Sequence, residues 1–398
     1  MVSSLKGGGN LLCGLLSKSA KTPGSSSSIR SGLGLTSYRS FGTLKRQTVE
    51  RKTEEPVDPK TIKWDSLGFN YTPTKGVVVY DHKDGKWGEG RIQGPYLELH
   101  LMSNVLHYGQ AIFEGLKAFH QKDGKVALFN PLENAKRLRS GCKRLGMPEI
   151  SDEIFLEALT NAVEENVDYV PPYGSGGSMY LRPVLFGHGA KLGLGKAPEY
   201  CFAVMASPVG NYYSGGLQAV DACVIEGYDR AAPFGVGNVK CAGNYAADVV
   251  PASEAAAAGY PIGLYLDAKE HKYIEEFSTS NFVAVSGDKS TYITPKSDSI
   301  LPSITNIMLR QLARDRGMQV EERPVEFSEL NSFSQVAACG TAVIVTPIKS
   351  ITKGAVKVEI GEDFDELSAL YKDVRALQTG DKEDVHGWCT KVTDKPLP

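Results

Sequence analysis

One lysine of this chain stands apart from the other basic residues. Lys240 lies in Gly237-Asn238-Val239-Lys240-Cys241-Ala242-Gly243-Asn244-Tyr245, between the Gly-rich loop Phe234-Gly235-Val236-Gly237 and an Ala-rich helical pattern at 244–258. Burial among such small and apolar neighbours depresses an amine's pKa and favours the neutral form, which a Schiff-base lysine needs. Two further segments offer anion contacts. Leu301-Pro302-Ser303-Ile304-Thr305-Asn306 leads into a helical pattern at 305–316 with Thr305 as its N-cap, and a helix start presents free backbone N–H groups. Cys339-Gly340-Thr341-Ala342 opens a buried strand, where a tight turn brings N–H groups and one hydroxyl close to a ligand. Alone, each segment also reads as plain structure: a surface lysine, a capped helix, a loop into a strand. Together they describe a lysine with two cradles for phosphate or carboxylate, a set that fits pyridoxal phosphate.

Composition narrows the rest. The 398 residues hold 44 basic and 46 acidic side chains, 41% hydrophobic and 23% charged residues, the profile of a globular chain. No run approaches the roughly 18 apolar residues that span a bilayer, so no membrane segment is expected. Residues 1–49 carry seven Lys/Arg, eleven Ser and no acid. The remainder holds 37 basic against 46 acidic groups, no footprint for nucleic acid. The seven cysteines form no Cys-x-x-Cys pair, and the His residues make no metal-like cluster.

Residues 1–49 read as a targeting peptide: Leu11, Leu12, Leu15 and Leu16 have helical spacing beside Lys6, Lys18 and Lys21. Arg39-Ser40-Phe41-Gly42 suits cleavage after Phe41 and a mitochondrial destination, with a plastid as the alternative. The folded body divides into a smaller domain at 64–206, a linker at 207–216 and a larger domain at 217–398. Hairpin turns at Asp84-Gly85, Asp123-Gly124 and Gly287-Asp288 mix with helices at 132–145, 151–166 and 363–377. Strands without strict βαβ alternation predict an α+β fold with antiparallel or mixed sheets.

At this point several runs resemble one family. His107-Tyr108-Gly109-Gln110-Ala111-Ile112-Phe113-Glu114-Gly115-Leu116-Lys117, Tyr180-Leu181-Arg182-Pro183, Val239-Lys240-Cys241-Ala242-Gly243-Asn244-Tyr245 and Gly340-Thr341-Ala342 look like the branched-chain amino acid aminotransferases, fold-type IV pyridoxal-phosphate enzymes. The resemblance covers about 64–380 and implies a homodimer that exchanges amino groups between leucine, isoleucine or valine and 2-oxoglutarate. It assigns Lys240 as the covalent anchor of the cofactor and Tyr245 as partner of its ring oxygen. Glu276 pairs with the ring nitrogen, with Glu275 pointing away. Arg137, Ile304, Thr305 and Thr341 hold the phosphate. Phe69, Tyr108, Phe113 and Tyr180 wall the side-chain pocket, Arg182 meets glutamate's distal carboxylate, and Thr341 and Ala342 take the α-carboxylate.

Three positions depart from the family pattern. Val343 and Thr346 replace a Cys-x-x-Cys redox pair of animal mitochondrial relatives. Pro251 falls inside the Ala-rich helix and predicts a kink or restart. Asn306 stands where Arg is usual, which predicts the loss of a surface charge. D-amino acid aminotransferase, aminodeoxychorismate lyase and a non-catalytic protein of the same fold are the alternative readings.

Overall fold

A computed structural model describes residues 53–210 and 217–392. The expected targeting peptide, 1–49, and residues 211–216 of the expected linker lie outside the described residues. Residues 207–209, also read as linker, continue the strand Glu199–Val209.

The first sheet is antiparallel throughout. Its main path runs Cys389–Lys391, Val126–Phe129, Leu116–His120, Ser178–His188, Glu199–Val209, Val77–Lys83, Lys86–Trp87. The short strand Ala111–Phe113 pairs with Ser178–His188 off this path. One face packs on the helices Pro131–Leu145 and Asp152–Glu165. Local chemistry sets their limits. Pro131 occupies the first turn and Gly146 ends the helix at φ +64°, where a side chain would be strained. The Ser151 hydroxyl accepts from the Ile154 N–H and caps the second helix as expected. Phe155 and Phe202 stack at 6.0 Å with neither exposed. Burying each contributes about 1.5–3 kcal/mol.

The second sheet is mixed. Strands Ile274–Phe277, Ile262–Leu266, Val220–Val224, Ile344–Lys353, Phe333–Gly340 and Ser280–Ser286 follow one another, and the last pairs back onto the first. Six strands thus close a small barrel. Alternation along each strand fills it: Phe282, Ala284, Val336 and Ala338 point inward. Val283, Val285, Ala337 and Cys339 point outward, against the helices Ile304–Asp315 and Asp365–Thr379.

Four expectations change here. The final strand, Cys389–Lys391, pairs with Val126–Phe129 of the first sheet, so the segment 217–398 does not all belong with the second. The helix Ala242–Ala257 runs unbroken through the buried Pro251. Ser303, not Thr305, caps the helix Ile304–Asp315, its hydroxyl accepting from the Asn306 N–H. Asn306 is no surface residue: it is buried, accepts from the Tyr292 hydroxyl at 2.9 Å and donates to Thr294 Oγ1 at 2.8 Å. An arginine there would displace this pair of bonds.

Candidate active site

Lys240 is placed by the first sheet. The edge strand Ala111–Phe113 forms a bridge from Ile112 to Cys241, and the Phe113 N–H donates to the Lys240 carbonyl at 3.1 Å. The Asn244 amide donates to the carbonyls of Val236 and Val239, both at 2.9 Å, which ties the Gly-rich loop to the helix start. These contacts aim the lysine into a cavity of about 640 Å³, within the range of small-molecule sites.

Its Nζ donates to the Tyr245 hydroxyl at 2.7 Å and sits 4.7 Å from the Phe113 ring centre. Burial, with Arg137 and then Arg182 nearby, pushes the Lys240 amine down to about 7. The same burial, with Glu276 adding to it, holds the Tyr245 phenol well above its ordinary value, so it stays protonated.

Glu276 enters the cavity from the strand Ile274–Phe277. It accepts from Asn281 Nδ2 at 2.9 Å, the Leu301 N–H at 3.0 Å, and Arg230 Nη2 at 2.6 Å. Burial pushes it up to about 7 against the pull of Arg230. Glu275 points the other way, to Ser297 at 3.0 Å and to Ser299. Period-two alternation separates the two acids, as expected.

Arg137 forms a bidentate pair with the fully buried Glu114: Nε to Oε1 at 2.8 Å and Nη2 to Oε2 at 2.6 Å. Asn134 Nδ2 also donates to Oε2, at 2.7 Å, and Arg137 Nη1 donates to the Pro302 carbonyl at 3.0 Å. The guanidinium is thereby fixed beside the start of the helix Ile304–Asp315. Such a pair resists rotation more than a lysine contact would.

On the other wall, Phe69 packs edge-on against Tyr180 at 5.0 Å, and Phe113 against Tyr245 at 4.8 Å. The Arg182 guanidinium lies 5.1 Å from the Phe113 ring and 5.2 Å from the Tyr180 ring, with Nη2 donating to the Tyr180 hydroxyl at 3.2 Å. Gly115 makes room for this: a Cβ there would lie 2.1 Å from the Tyr180 oxygen. Thr341 and Ala342 complete the lining.

Three expected residues are not in this cavity. Ile304 and Thr305 border a neighbouring hollow of about 20 Å³, which shares the lining residue Thr341 with the main cavity. Tyr108 stands 41% exposed on the helix Asn104–Tyr108, its hydroxyl donating to the Leu192 carbonyl. Sequence reasoning also missed residues that are present. Arg230 precedes the Gly-rich loop with no periodic signal. Gly237 lets the chain pass it, since a Cβ there would lie 2.1 Å from the Ser299 carbonyl and 2.8 Å from Arg230 Nη2. Glu114 sat inside a quoted motif; a charged residue between two buried strands was the available sign.

A model of the Amino-transferase class IV family matches residues 111–351, and the chain belongs to that family. Among curated proteins it is 42% identical to the branched-chain-amino-acid aminotransferase of Haemophilus influenzae over 344 residues, covering 84% of this chain and 99% of that one. It is 40% identical to the chloroplastic branched-chain-amino-acid aminotransferase 3 of Arabidopsis thaliana, over 94% of this chain and 91% of the relative. A mitochondrial relative from Humulus lupulus, branched-chain amino acid aminotransferase 1, is 38% identical over 87% and 88%. The solved Escherichia coli branched-chain amino acid aminotransferase superposes with a TM-score of 0.65 at 26% identity, covering 80% of this chain and all of that one. Within its class, then, this chain is a branched-chain aminotransferase.

Proposed function

We propose that this cavity transfers the amino group of L-leucine, L-isoleucine or L-valine to 2-oxoglutarate, with pyridoxal 5′-phosphate as cofactor. The observation that carries the reading is Lys240, a buried amine with its pKa near neutrality, facing a phenol, an acid and an arginine in one cavity. The donor set suits that cofactor. Arg182 and Arg230 each keep a buried Nε with no partner among the described residues, which favours an anionic guest.

When bound, the cofactor supplies an electron sink that acidifies the substrate Cα–H. Lys240 would hold it covalently through Nζ, and as a free amine would take the Cα proton. In the reverse half it returns a proton to that carbon of the 2-oxo acid. Tyr245 donates to the ring oxygen, and Glu276 holds a proton on the ring nitrogen. Arg137 and Thr341 would hold the phosphate, joined by the backbone N–H groups of Ile304 and Thr305 at the helix start, although these two residues border the neighbouring hollow. Phe69, Phe113 and Tyr180 accept the aliphatic side chain and keep water from the reacting carbon, while Thr341 and Ala342 orient the α-carboxylate.

Arg182 resolves the double specificity. Its guanidinium lies 5.1 Å from the Phe113 ring centre and 5.2 Å from that of Tyr180, so an aliphatic side chain meets apolar faces and a distal carboxylate meets the cation. A charged hydrogen bond of this kind contributes about 1.5–3 kcal/mol. Arg182→Gln therefore weakens glutamate and 2-oxoglutarate by roughly ten- to a hundredfold, with leucine little changed. Equal losses in KM for leucine and glutamate would refute this division.

The reading as a whole is tested by spectrum and turnover. The purified protein's cofactor absorbance shifts on adding L-leucine, and glutamate forms when 2-oxoglutarate is supplied. A response to D-alanine instead would favour D-amino acid chemistry. We also propose that Tyr108 reaches the pocket of a second copy in a homodimer, and that residues 1–49 direct import into mitochondria, with plastids as the alternative. A fully active sedimenting monomer would overturn the first, and a cytosolic residue 1–60 reporter the second.

A further inference from the structure

The first three residues of the short segment Phe113–Lys117 serve the cavity, and at its end the side chain turns away. Phe113 faces Lys240, Glu114 fixes Arg137, and Gly115 admits Tyr180. Lys117 instead is buried behind the wall, 8% exposed, and donates from Nζ to the Ala342 carbonyl at 2.9 Å. No carboxylate pairs with it among the described residues. A buried lysine without a counter-ion is costly to keep. Burial, with Arg375 nearby, pushes it down to about 7, yet charged or neutral the amine still donates.

What it grips is under strain. The strands Phe333–Gly340 and Ile344–Lys353 are joined by only Thr341, Ala342 and Val343, with Gly340 paired to Ile344. The first residue after this turn is left-handed, a conformation that suits glycine. Here that residue is Ile344, at φ +65°. A β-branched side chain resists that conformation and holds it only where the surroundings fix it. Two things do so: the burial of Ile344 in the helix-facing core, and the bond from Lys117 to the turn's central carbonyl. The turn's other side lines the main cavity.

We propose that Lys117 is a positioning residue that clamps the Thr341–Val343 turn from behind, so that its cavity side meets a substrate α-carboxylate in a fixed orientation. The proposal rests on the aminotransferase reading above, in which Thr341 and Ala342 receive that carboxylate. A clamp of this kind acts on every substrate that carries an α-carboxylate, whatever its side chain. That separates it from Arg182, which serves the distal carboxylate alone.

The test uses the full-length holoenzyme. Lys117→Met keeps the length and apolar contacts of the stem and removes the donor. The loss of one such bond raises KM about tenfold, for L-leucine and L-glutamate alike. The Kd of 4-methylvaleric acid, a carboxylate with no amino group to react, rises by a similar factor, read from the cofactor's absorbance. The rise in KM exceeds the fall in kcat. Lys117→Gln, whose amide can still donate toward Ala342, recovers part of the loss; should the Met variant fail to fold, the Gln variant carries the test with a smaller increase in both constants. Lys117→Met or Lys117→Gln with unchanged KM and Kd would overturn the clamp while leaving the aminotransferase reading intact. A loss confined to glutamate would overturn it too. Wild-type protein that neither turns over L-leucine nor binds the acid would instead remove the reading on which the clamp rests.

Discussion

Lys240→Ala abolishes turnover, with kcat falling by at least about 10⁴-fold. No neighbour can replace the amine. Tyr245 is the group within hydrogen-bond reach, and its phenol is held protonated by burial. Arg137 is committed to Glu114 and Pro302, and cannot deprotonate. Lys117 lies behind the wall, bonded to Ala342. The same lysine predicts a pH profile. With its pKa pushed down to about 7, the amine is charged and unreactive below that value and free above it. Capture of pyridoxal phosphate by cofactor-free protein therefore speeds up as pH rises through about 7 and levels off above about 8. Stopped-flow absorbance measures it. A rate still climbing toward pH 10 would mean an ordinary exposed amine, and a borohydride-trapped label on another residue would displace Lys240 from its role.

Glu276→Gln lowers kcat by about 10²–10³-fold, the scale seen when one preorganised electrostatic partner is removed. The carboxylate is the only anionic group that reaches the cavity from its strand, and its surroundings place it firmly: an amide, a backbone N–H and the Arg230 guanidinium all donate to it. Glutamine keeps the size and one acceptor. It cannot hold a proton on a ring nitrogen, and it leaves the Arg230 cation uncompensated a few ångströms behind the same atom, which opposes a positive ring further. Glu275→Gln serves as the contrast, because Glu275 faces Ser297 and Ser299 on the other side of the strand. Its kcat stays within about threefold of the parent. Similar losses for the two variants, measured by steady-state kinetics at saturating L-leucine, would show that strand alternation does not separate their roles.

Much of the site was legible because short-range chemistry marks it. Lys240, Tyr245 and Asn244 sit within six residues, and the Gly-rich loop before them signals close packing. The pairing of Glu276 with Asn281 follows from a two-residue turn between adjoining strands. What the sequence hides is carried by contacts far apart along the chain. Arg230 meets Glu276 across 46 positions and Glu114 meets Arg137 across 23, with no period to announce either. The family's usual Arg at position 306 points to a surface site, yet a neighbouring strand, through Tyr292 and Thr294, buries Asn306. The Cys339-Gly340-Thr341-Ala342 segment reads in sequence as the opening of a strand, whereas it closes one strand and begins a hairpin. Pro251 leaves its helix intact, which intrinsic propensity alone did not foretell.

The return of Cys389–Lys391 to the edge of the first sheet has a consequence for how the protein is made. That sheet begins with residues near 77, yet its outer strand, Val126–Phe129, gains its last neighbour only when residues 389–391 have been made. On the ribosome, and again while threading through any narrow translocation channel, the strand waits with one row of N–H and C=O groups unpaired. Such an edge is a template for pairing with another chain. The molecule's most vulnerable interval is thus the one before residue 391 emerges. Cutting the chain just before Cys389 would expose a sticky flank on a strand made much earlier, some 260 positions away from the cut.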